Sequence, residues 1–258
     1  MNNANRKWSR DELVVAFNLY CKIPFGTIHI HNPQIIELAK ALGRTPSAVS
    51  WKLANFARLD PSLQKRSIKG ATHGSRADIE IWDEFNNDWD RLAYESEQLV
   101  ARFTGISLEQ VTQIDSSGII IPDGREREAL VRIRVNQGFF RATVLAAYSY
   151  RCCLTGLSIS ELLNASHIVP WAVDPSNRTN PRNGLCFNAL HDRAFDRGLI
   201  TVTPEHKIKV SSRINSFSKE KAVVDYLISY EGVPINLPDR FLPDPDLISY
   251  HNTKVFQG

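Results

Sequence analysis

The stretch that decides the fold contains two short sequences, CCLTGLSISELLNASHIVPW (residues 152–171) and NGLCFNALHDRAFDRGLITV (residues 183–202), joined by a loop rich in Asn and Pro. The first sequence ends in a short β segment that includes His167. The second begins with another short strand at Asn183, and His191 lies at the expected start of a helix. The order predicted from the sequence is therefore strand, loop, strand, helix.

The motifs in this stretch, A-x-H-I-x-P, N-G-L, L-H and F-D, resemble those of the HNH, or ββα-metal, nuclease superfamily. They are most similar to its branch of predicted restriction endonucleases. The similarity extends from about residue 137 to residue 202. It implies a ββα-metal fold and a DNA-cutting centre that uses a divalent metal ion, Mg²⁺ first and Mn²⁺ as an alternative.

Hydrolysis of a phosphodiester needs an activated water and a cation that stabilises charge on the phosphate. His167 has the near-neutral pKa that suits a general base. The resemblance implies that Asn183 supports the loop and orients the catalytic histidine, and that His191 is a metal ligand. A turn formed with Gly184 is an alternative explanation for Asn183.

One position departs from the superfamily pattern. Many members have an Asp or His directly before the catalytic histidine, whereas this chain has Ser166. A hydroxyl is a weak ligand for a hard cation, so the missing carboxylate is expected from Asp192, Asp196 or the DNA phosphate. Asp196 is the first choice, with helix capping or an ion pair to a neighbouring arginine as its alternative role.

The cysteines predict neither disulfides nor a structural zinc site. Cys152 and Cys153 are adjacent, Cys21 and Cys186 are isolated, and no paired C-x-x-C motif occurs. We therefore expect buried thiols in a reducing cytoplasm. The histidines outside the motif, among them His251, are expected at the surface or in loops.

The N-terminal third of the chain predicts three helices. Ser9 and Glu12 form a capping box before the first one, and Asn32 with Pro33 begins the second, which Gly43 ends. Thr45 with Pro46 begins the third, which runs to about residue 57. A further helix, from about residue 78 to residue 99, carries an aromatic stripe that is expected to pack in the core.

The second and third helices match the sequence logic of a helix-turn-helix, and residues 9–58 have a general resemblance to trihelical DNA-binding domains of the Myb or homeodomain type. The apolar face of the third helix is expected to pack on Ile36, Leu38 and Leu42. Nucleic acid is expected to meet Arg44, Ser47, Ser50, Lys52, Asn55 and Arg58. The alternative is a solvated face of a small helical bundle.

A long helix from about residue 125 to residue 150 carries arginines at seven-residue intervals, Arg127, Arg134 and Arg141. Their spacing places them roughly on one helical face, where they are suited to contact a phosphate backbone. Arg141 lies inside the stretch that resembles the nuclease superfamily and is the preferred candidate. Solvated helix charge is the alternative.

Composition is that of a soluble globular protein with 258 residues, a formal charge of +3 and no run long enough to span a membrane. The polar start, MNNANRKWSR, lacks the apolar core of a signal peptide. Glycine, serine and proline between residues 104 and 124 predict a linker. The expected domains are therefore 1–103, helical, and 125–258, the nuclease.

The sequence as a whole predicts an α+β protein with an N-terminal helix-turn-helix-like domain and a C-terminal ββα-metal domain. The resemblance implies a metal-dependent DNA endonuclease acting on double-stranded DNA in restriction or defence. A homodimer is compatible with double-strand cutting. The alternatives are a DNA-binding regulator that retains the nuclease fold without cutting, and a nuclease for RNA or modified bases.

Overall fold

The computed structural model describes residues 6–66, 74–111 and 125–258. Its contacts divide the chain into two compact units, Met1–Ala146 and Ala147–Gly258. Among the described residues, helices and two small antiparallel sheets make up the fold, in agreement with the α+β class predicted from the sequence. No helix in the described ranges has the length and apolar character needed to cross a bilayer.

The first unit is helical in its described residues. Its helices are α1 (Arg10–Lys22), α2 (Pro33–Leu42), α3 (Pro46–Leu59), α4 (Pro61–Lys65), α5 (Arg76–Phe85), α6 (Trp89–Thr104), α7 (Leu108–Val111) and α8 (Arg125–Ala147). The Ser9–Glu12 capping box, the Asn32 cap and the Thr45 cap are present, and Gly43 ends α2 in the left-handed conformation. These local predictions are confirmed, since each depends only on residues next to one another in sequence.

Phe17 lies at the centre of the aromatic core of this unit. Its ring centroid is 4.9 Å from that of Phe56 on α3, 5.3 Å from Trp82 on α5 and 6.3 Å from Trp89 on α6. The aromatic stripe is thus core, as predicted. It belongs to two helices instead of one, because α5 ends at Phe85 and Asp88 caps a new helix.

Two further predictions for this unit are corrected. Ile36 was expected in the interface between α2 and α3, but 45% of it is exposed and Ile35 is buried in its place. The long helix α8 was assigned to the nuclease domain, whereas its contacts group all but its last residue with the first unit. Asp90 on α6 accepts a 2.7 Å hydrogen bond from Arg132 and another from Asn136. Part of the predicted linker, residues 112–124, lies outside the described residues.

The second unit contains the predicted strand–strand–helix order. Its elements are β1 (Leu163–His167), β2 (Gly184–Asn188), α9 (Ala189–Asp196), β3 (Ile200–Val202), β4 (Ile208–Val210), α10 (Lys221–Tyr226) and α11 (Pro245–Tyr250). Strands β1 and β2 pair antiparallel, with His167 opposite Gly184, and β3 pairs antiparallel with β4. Helix α9 packs against β1, β2 and β3, with Phe195 buried beneath it. This packing brings the N-terminal end of α9 to the face of β1.

Candidate active site

His167 is the last residue of β1, and the loop that follows it folds back on its ring. Its Nε2 lies 2.9 Å from the carbonyl oxygen of Arg178. A carbonyl oxygen only accepts hydrogen bonds, so the neutral ring carries its proton on Nε2 and its lone pair on Nδ1. The ring of Trp171 meets the imidazole edge-on, with the two ring centroids 5.5 Å apart.

The half-buried surroundings of His167 favour its neutral form. Burial lowers the pKa of His167 below its ordinary value of 6.5, and the hydrogen bond to the Arg178 carbonyl and the negative charge of Asp192 offset only part of this effect. A histidine that is neutral at physiological pH, with its tautomer fixed by a backbone carbonyl, can act as a general base through Nδ1.

Asn183 is fully buried and ties the two ends of the loop together. Its Oδ1 accepts a 2.8 Å hydrogen bond from the Val169 amide, and its Nδ2 donates to the carbonyl oxygens of Val169 and Asn177, both at 3.1 Å. Its own carbonyl accepts from the amide of Ile168, the residue after His167. This is the bonding that a loop support beside the catalytic histidine needs, and it uses every polar group of the amide.

Asp192, on α9, is the carboxylate that acts on His167. Its two oxygens accept hydrogen bonds from side chains on the same face of β1, 2.6 Å from Asn164 Nδ2 and 2.5 Å from Ser166 Oγ. The position that lacks the superfamily carboxylate therefore carries a hydroxyl that holds a carboxylate from the helix. Ser166 is buried, whereas Asp192 is half-buried.

Asp196 lies one helical turn after Asp192 on α9. Burial, and then the negative charge of Asp192, raise the pKa of Asp196, while Arg193 and Arg197 act in the opposite direction. Its carboxylate is desolvated even though the residue as a whole is exposed. A cation would stabilise the charged form of a carboxylate whose pKa is raised in this way.

His191 is buried and points away from solvent, with 2% of it exposed. Its Nδ1 lies 3.0 Å from Asn188 Oδ1 and its Nε2 lies 2.8 Å from the carbonyl oxygen of Tyr226. Its ring packs edge-on against Tyr230, with centroids 5.2 Å apart. Both ring nitrogens are thus engaged inside the protein. The ligand role predicted for His191 does not fit this geometry, because it requires at least one of these contacts to open.

The cysteines are buried free thiols, and one of them contacts His191. Burial would raise the pKa of Cys152, but hydrogen bonds with His191 and Thr155 outweigh burial and bring the pKa to about 7. The backbone amide of Asn188 also donates to Cys152 Sγ, over 3.3 Å. His191 therefore belongs to a buried polar cluster between β2, α9 and the residues before β1.

The oxygen donors of the site fit a hard divalent cation. Within residues 6–66, 74–111 and 125–258, no three His, Cys, Asp or Glu side chains come close enough to hold a metal ion by themselves. Mg²⁺ is commonly bound by one or two carboxylates together with waters and substrate phosphates. Asp192 and Asp196 are the two carboxylates on which such a site would depend.

Comparison with known proteins gives a family match over the same segment. Residues 152–203 match the HNH endonuclease family. The matched segment contains β1, β2 and α9, together with all the side chains described above except Tyr226 and Tyr230. The match indicates a nuclease domain of the HNH superfamily, whose members generally use divalent metal ions and act on DNA. A search of curated proteins found no match.

The residues predicted to bind nucleic acid in the first unit differ in burial. Lys52 and Asn55 are buried, and both donate to Asp78 on α5, over 2.7 and 3.0 Å. Arg44 is buried against Glu12, to which its Nε and Nη2 each donate over 2.9 Å. These three side chains hold the helices together and are not presented to a partner, so their predicted role is corrected.

Three of the other predicted contacts to nucleic acid remain accessible. Ser47 and Arg141 are exposed and Ser50 is half-exposed, whereas Nε and Nη2 of Arg58 are buried, so the predicted role of Arg58 is corrected. Trp51, which sequence reasoning missed, has 61% of its surface exposed on α3.

Sequence reasoning also missed Arg178 and Trp171 beside His167. Both lie in the irregular loop between the strands, where no periodic pattern predicts which side chain turns back to the site. The sequence offers both Asp192 and Asp196 as the missing carboxylate ligand, and Asp196 is the first choice. The adjacency of Asp192 to His191 was the available signal.

Proposed function

We propose that the protein is a metal-dependent endonuclease that hydrolyses phosphodiester bonds in double-stranded DNA. The observation that carries the proposal is the position of His167, whose Nε2 is held by the Arg178 carbonyl and whose pKa is lowered by burial. In this proposal His167 is the base and the neighbouring carboxylates hold the cation, which are the two elements that phosphodiester hydrolysis requires.

In the proposed reaction, Nδ1 of His167 takes a proton from a water whose oxygen attacks the phosphorus. The bond from phosphorus to the 3′ oxygen breaks, and that oxygen takes up a proton from solvent. The products carry a 5′-phosphate and a 3′-hydroxyl. Asp192 and Asp196 would hold a divalent cation, Mg²⁺ or Mn²⁺, which stabilises negative charge on the phosphate when bound. Asn183 keeps the loop in place during the step.

The first unit is proposed to supply DNA affinity through the turn between α2 and α3, as in a helix-turn-helix. In support, α3 begins at Pro46 immediately after a tight turn at Gly43, and Ser47 and Ser50 lie on its accessible side. Phosphate contacts would position the protein and contacts to base edges would specify the site. Arg141 on α8 is proposed as a further phosphate contact.

The proposed biological role is restriction or defence against invading DNA, which would act in the cytoplasm. Cutting both strands with one centre per chain favours a homodimer. The proposed domain organisation keeps binding in the first unit and cutting in the second.

A DNA-binding regulator that does not cut is the second candidate. Ser166 in place of a carboxylate and the buried position of His191 favour it, because both weaken the metal site relative to the superfamily pattern.

The experiment that separates the two candidates uses supercoiled plasmid with Mg²⁺, Mn²⁺ or EDTA, and compares the wild type with His167→Ala. An endonuclease nicks or linearises the plasmid only with metal, and His167→Ala slows this by at least about 10²-fold. An intact plasmid in every metal, together with a persistent gel shift, would favour the regulator. A parallel reaction with double-stranded RNA tests the nucleic acid class.

A further inference from the structure

Arg178 is linked to the proposed base, His167, in two ways: directly through its backbone carbonyl and indirectly through the ring of Trp171. Its carbonyl oxygen is the partner of His167 Nε2, at 2.9 Å, and its own Nε donates to the carbonyl oxygen of Trp171, over 2.8 Å. Its guanidinium carbon lies 5.2 Å from the centroid of the Trp171 ring, and that ring meets His167. The Trp171 ring therefore contacts both the guanidinium of Arg178 and the imidazole of His167.

The loop that carries Arg178 is held at several further points. Asp174 accepts hydrogen bonds from the amide and the hydroxyl of Ser176, over 3.0 and 2.6 Å, and from Asn177 Nδ2, over 2.7 Å. Asn183 in turn holds the carbonyl of Asn177. Because these bonds fix the backbone on the N-terminal side of Arg178, its side chain starts from a defined position.

Inside the protein, the charge of Arg178 meets the ring of Trp171. In the part of the chain that the structure describes, no carboxylate forms an ion pair with it, and its only side-chain hydrogen bond is the one from Nε. The two terminal amino groups carry four of the five N–H donors of a guanidinium, in a planar fork that matches two oxygens of a phosphate. The residue is half-exposed, so these donors can meet a partner from solvent.

We propose that the Arg178 guanidinium binds a non-bridging oxygen of the phosphate that is cut, and stabilises the charge that develops there. The inference rests on the proposed function and adds to it a residue that touches the substrate. A guanidinium that is held in place before the substrate arrives does not have to reorganise when charge develops on the phosphate. It is therefore an effective hydrogen-bond donor in the transition state. The Trp171 ring keeps the guanidinium plane in position.

The test compares the full-length wild type with Arg178→Ala, Arg178→Lys and the control Arg213→Ala. Arg213 is an exposed arginine of the same unit, and its backbone is hydrogen-bonded to the hydroxyls of Ser211 and Ser216. Cleavage of supercoiled plasmid is measured at saturating and at limiting DNA with Mg²⁺. Removal of the guanidinium should lower kcat by about 10²-fold to 10³-fold. Lysine should recover only part of this, because it restores charge without the fork, and Arg213→Ala should stay within about twofold.

A second measurement follows DNA binding in EDTA as a function of salt, with thermal unfolding of each variant as a check on folding. Arg178→Ala should reduce the slope of log K against log salt by about 1, since one phosphate contact is lost. If the wild type cuts and Arg178→Ala cuts equally fast, the inference is wrong while the proposed function stands. If the wild type cuts in no metal, the proposed function is wrong, and an unchanged salt slope for Arg178→Ala then overturns the inference as well.

Discussion

His167 and His191 carry the same side chain in opposite surroundings. Sequence spacing identified both as site residues. His167 is half-buried and contacts the Arg178 carbonyl of the loop, whereas His191 is enclosed by Tyr226 and Tyr230. The motif cannot reveal this difference, because the carbonyl that contacts His191 Nε2 belongs to Tyr226, 35 residues later in the chain. The hydrogen bonds of Asn183 are more local, since their partners belong to the loop that it ends.

The pKa of His167 sets the acid limb of the proposed activity. The base must be neutral, and burial lowers its pKa below 6.5, so activity should persist at pH 6.5 and fall only at lower pH. A bound cation would lower this pKa further. The measurement is kcat/KM for plasmid cleavage between about pH 5 and 8. A half-maximal value at or above pH 6.5 would contradict the assignment of His167 as the base.

Asp192 and His191 are neighbours with different expected roles, and one pair of variants separates them. Asp192→Asn should raise the Mg²⁺ concentration needed for half-maximal cleavage by at least about tenfold, because it removes a charged ligand. His191→Gln should leave that concentration nearly unchanged and lower the unfolding temperature, since its ring bridges Asn188 and Tyr226. Ser166→Ala, which frees the Asp192 carboxylate, should raise the Mg²⁺ requirement only a few-fold. The reverse pattern for the first two variants would restore His191 as the ligand.

At the scale of elements, sequence predicted where helices begin more reliably than which face they bury. The caps at Ser9, Asn32 and Thr45 are local, and all three are present. The polar side chains of α3 were expected to face a partner, but Lys52 and Asn55 are buried by Asp78, a residue of α5 that lies 26 positions after Lys52. A polar residue on a helix therefore predicts a solvent-exposed position only where the fold does not bring a distant carboxylate into contact with it.

Glu12 joins α1 to the turn after α2 and is expected to contribute strongly to stability. Burial would raise its pKa, but hydrogen bonds from Arg44, Arg6 and the Ser9 amide outweigh burial and bring the pKa to about 2. Arg44→Met should therefore lower the free energy of unfolding by roughly 3–5 kcal/mol, because it leaves a buried carboxylate short of a partner. The control Arg10→Met removes an exposed pair with Glu84 and Glu95 and should cost about 1 kcal/mol or less.

The same network has a pH dependence whose sign follows from the lowered pKa of Glu12. Its contribution is complete above the ordinary value of 4.5 and is lost as pH falls towards 2. The difference between wild type and Arg44→Met in urea unfolding should therefore shrink between pH 7 and pH 3. Tryptophan fluorescence reports this unit well, because Trp8, Trp51, Trp82 and Trp89 belong to it. A difference that stays constant with pH would show that the Glu12 charge is not involved.

At the scale of the whole molecule, the chain divides into a helical unit and a unit that contains the HNH match. The α+β class followed from the sequence, because helix caps and the strand–strand–helix motif are local patterns. The boundary was harder to predict: α8 carries part of the sequence that resembles nucleases, yet Arg132 and Asn136 attach it to Asp90 on α6. Contacts between side chains more than 40 residues apart do not appear in the hydrophobic periodicity of either helix, so the sequence pattern does not predict them.

The division into units predicts that binding and cutting can be lost separately. Ser47→Glu combined with Ser50→Glu places two negative charges on the accessible side of α3, where they would repel phosphates without disturbing the buried core. This variant should weaken DNA binding in EDTA by about tenfold or more, and should retain kcat at saturating DNA. His167→Ala should do the opposite, with unchanged affinity and almost no cleavage. If the α3 variant instead binds DNA as tightly as the wild type, the helix-turn-helix role of the first unit is wrong, and its accessible face is simply a solvated surface.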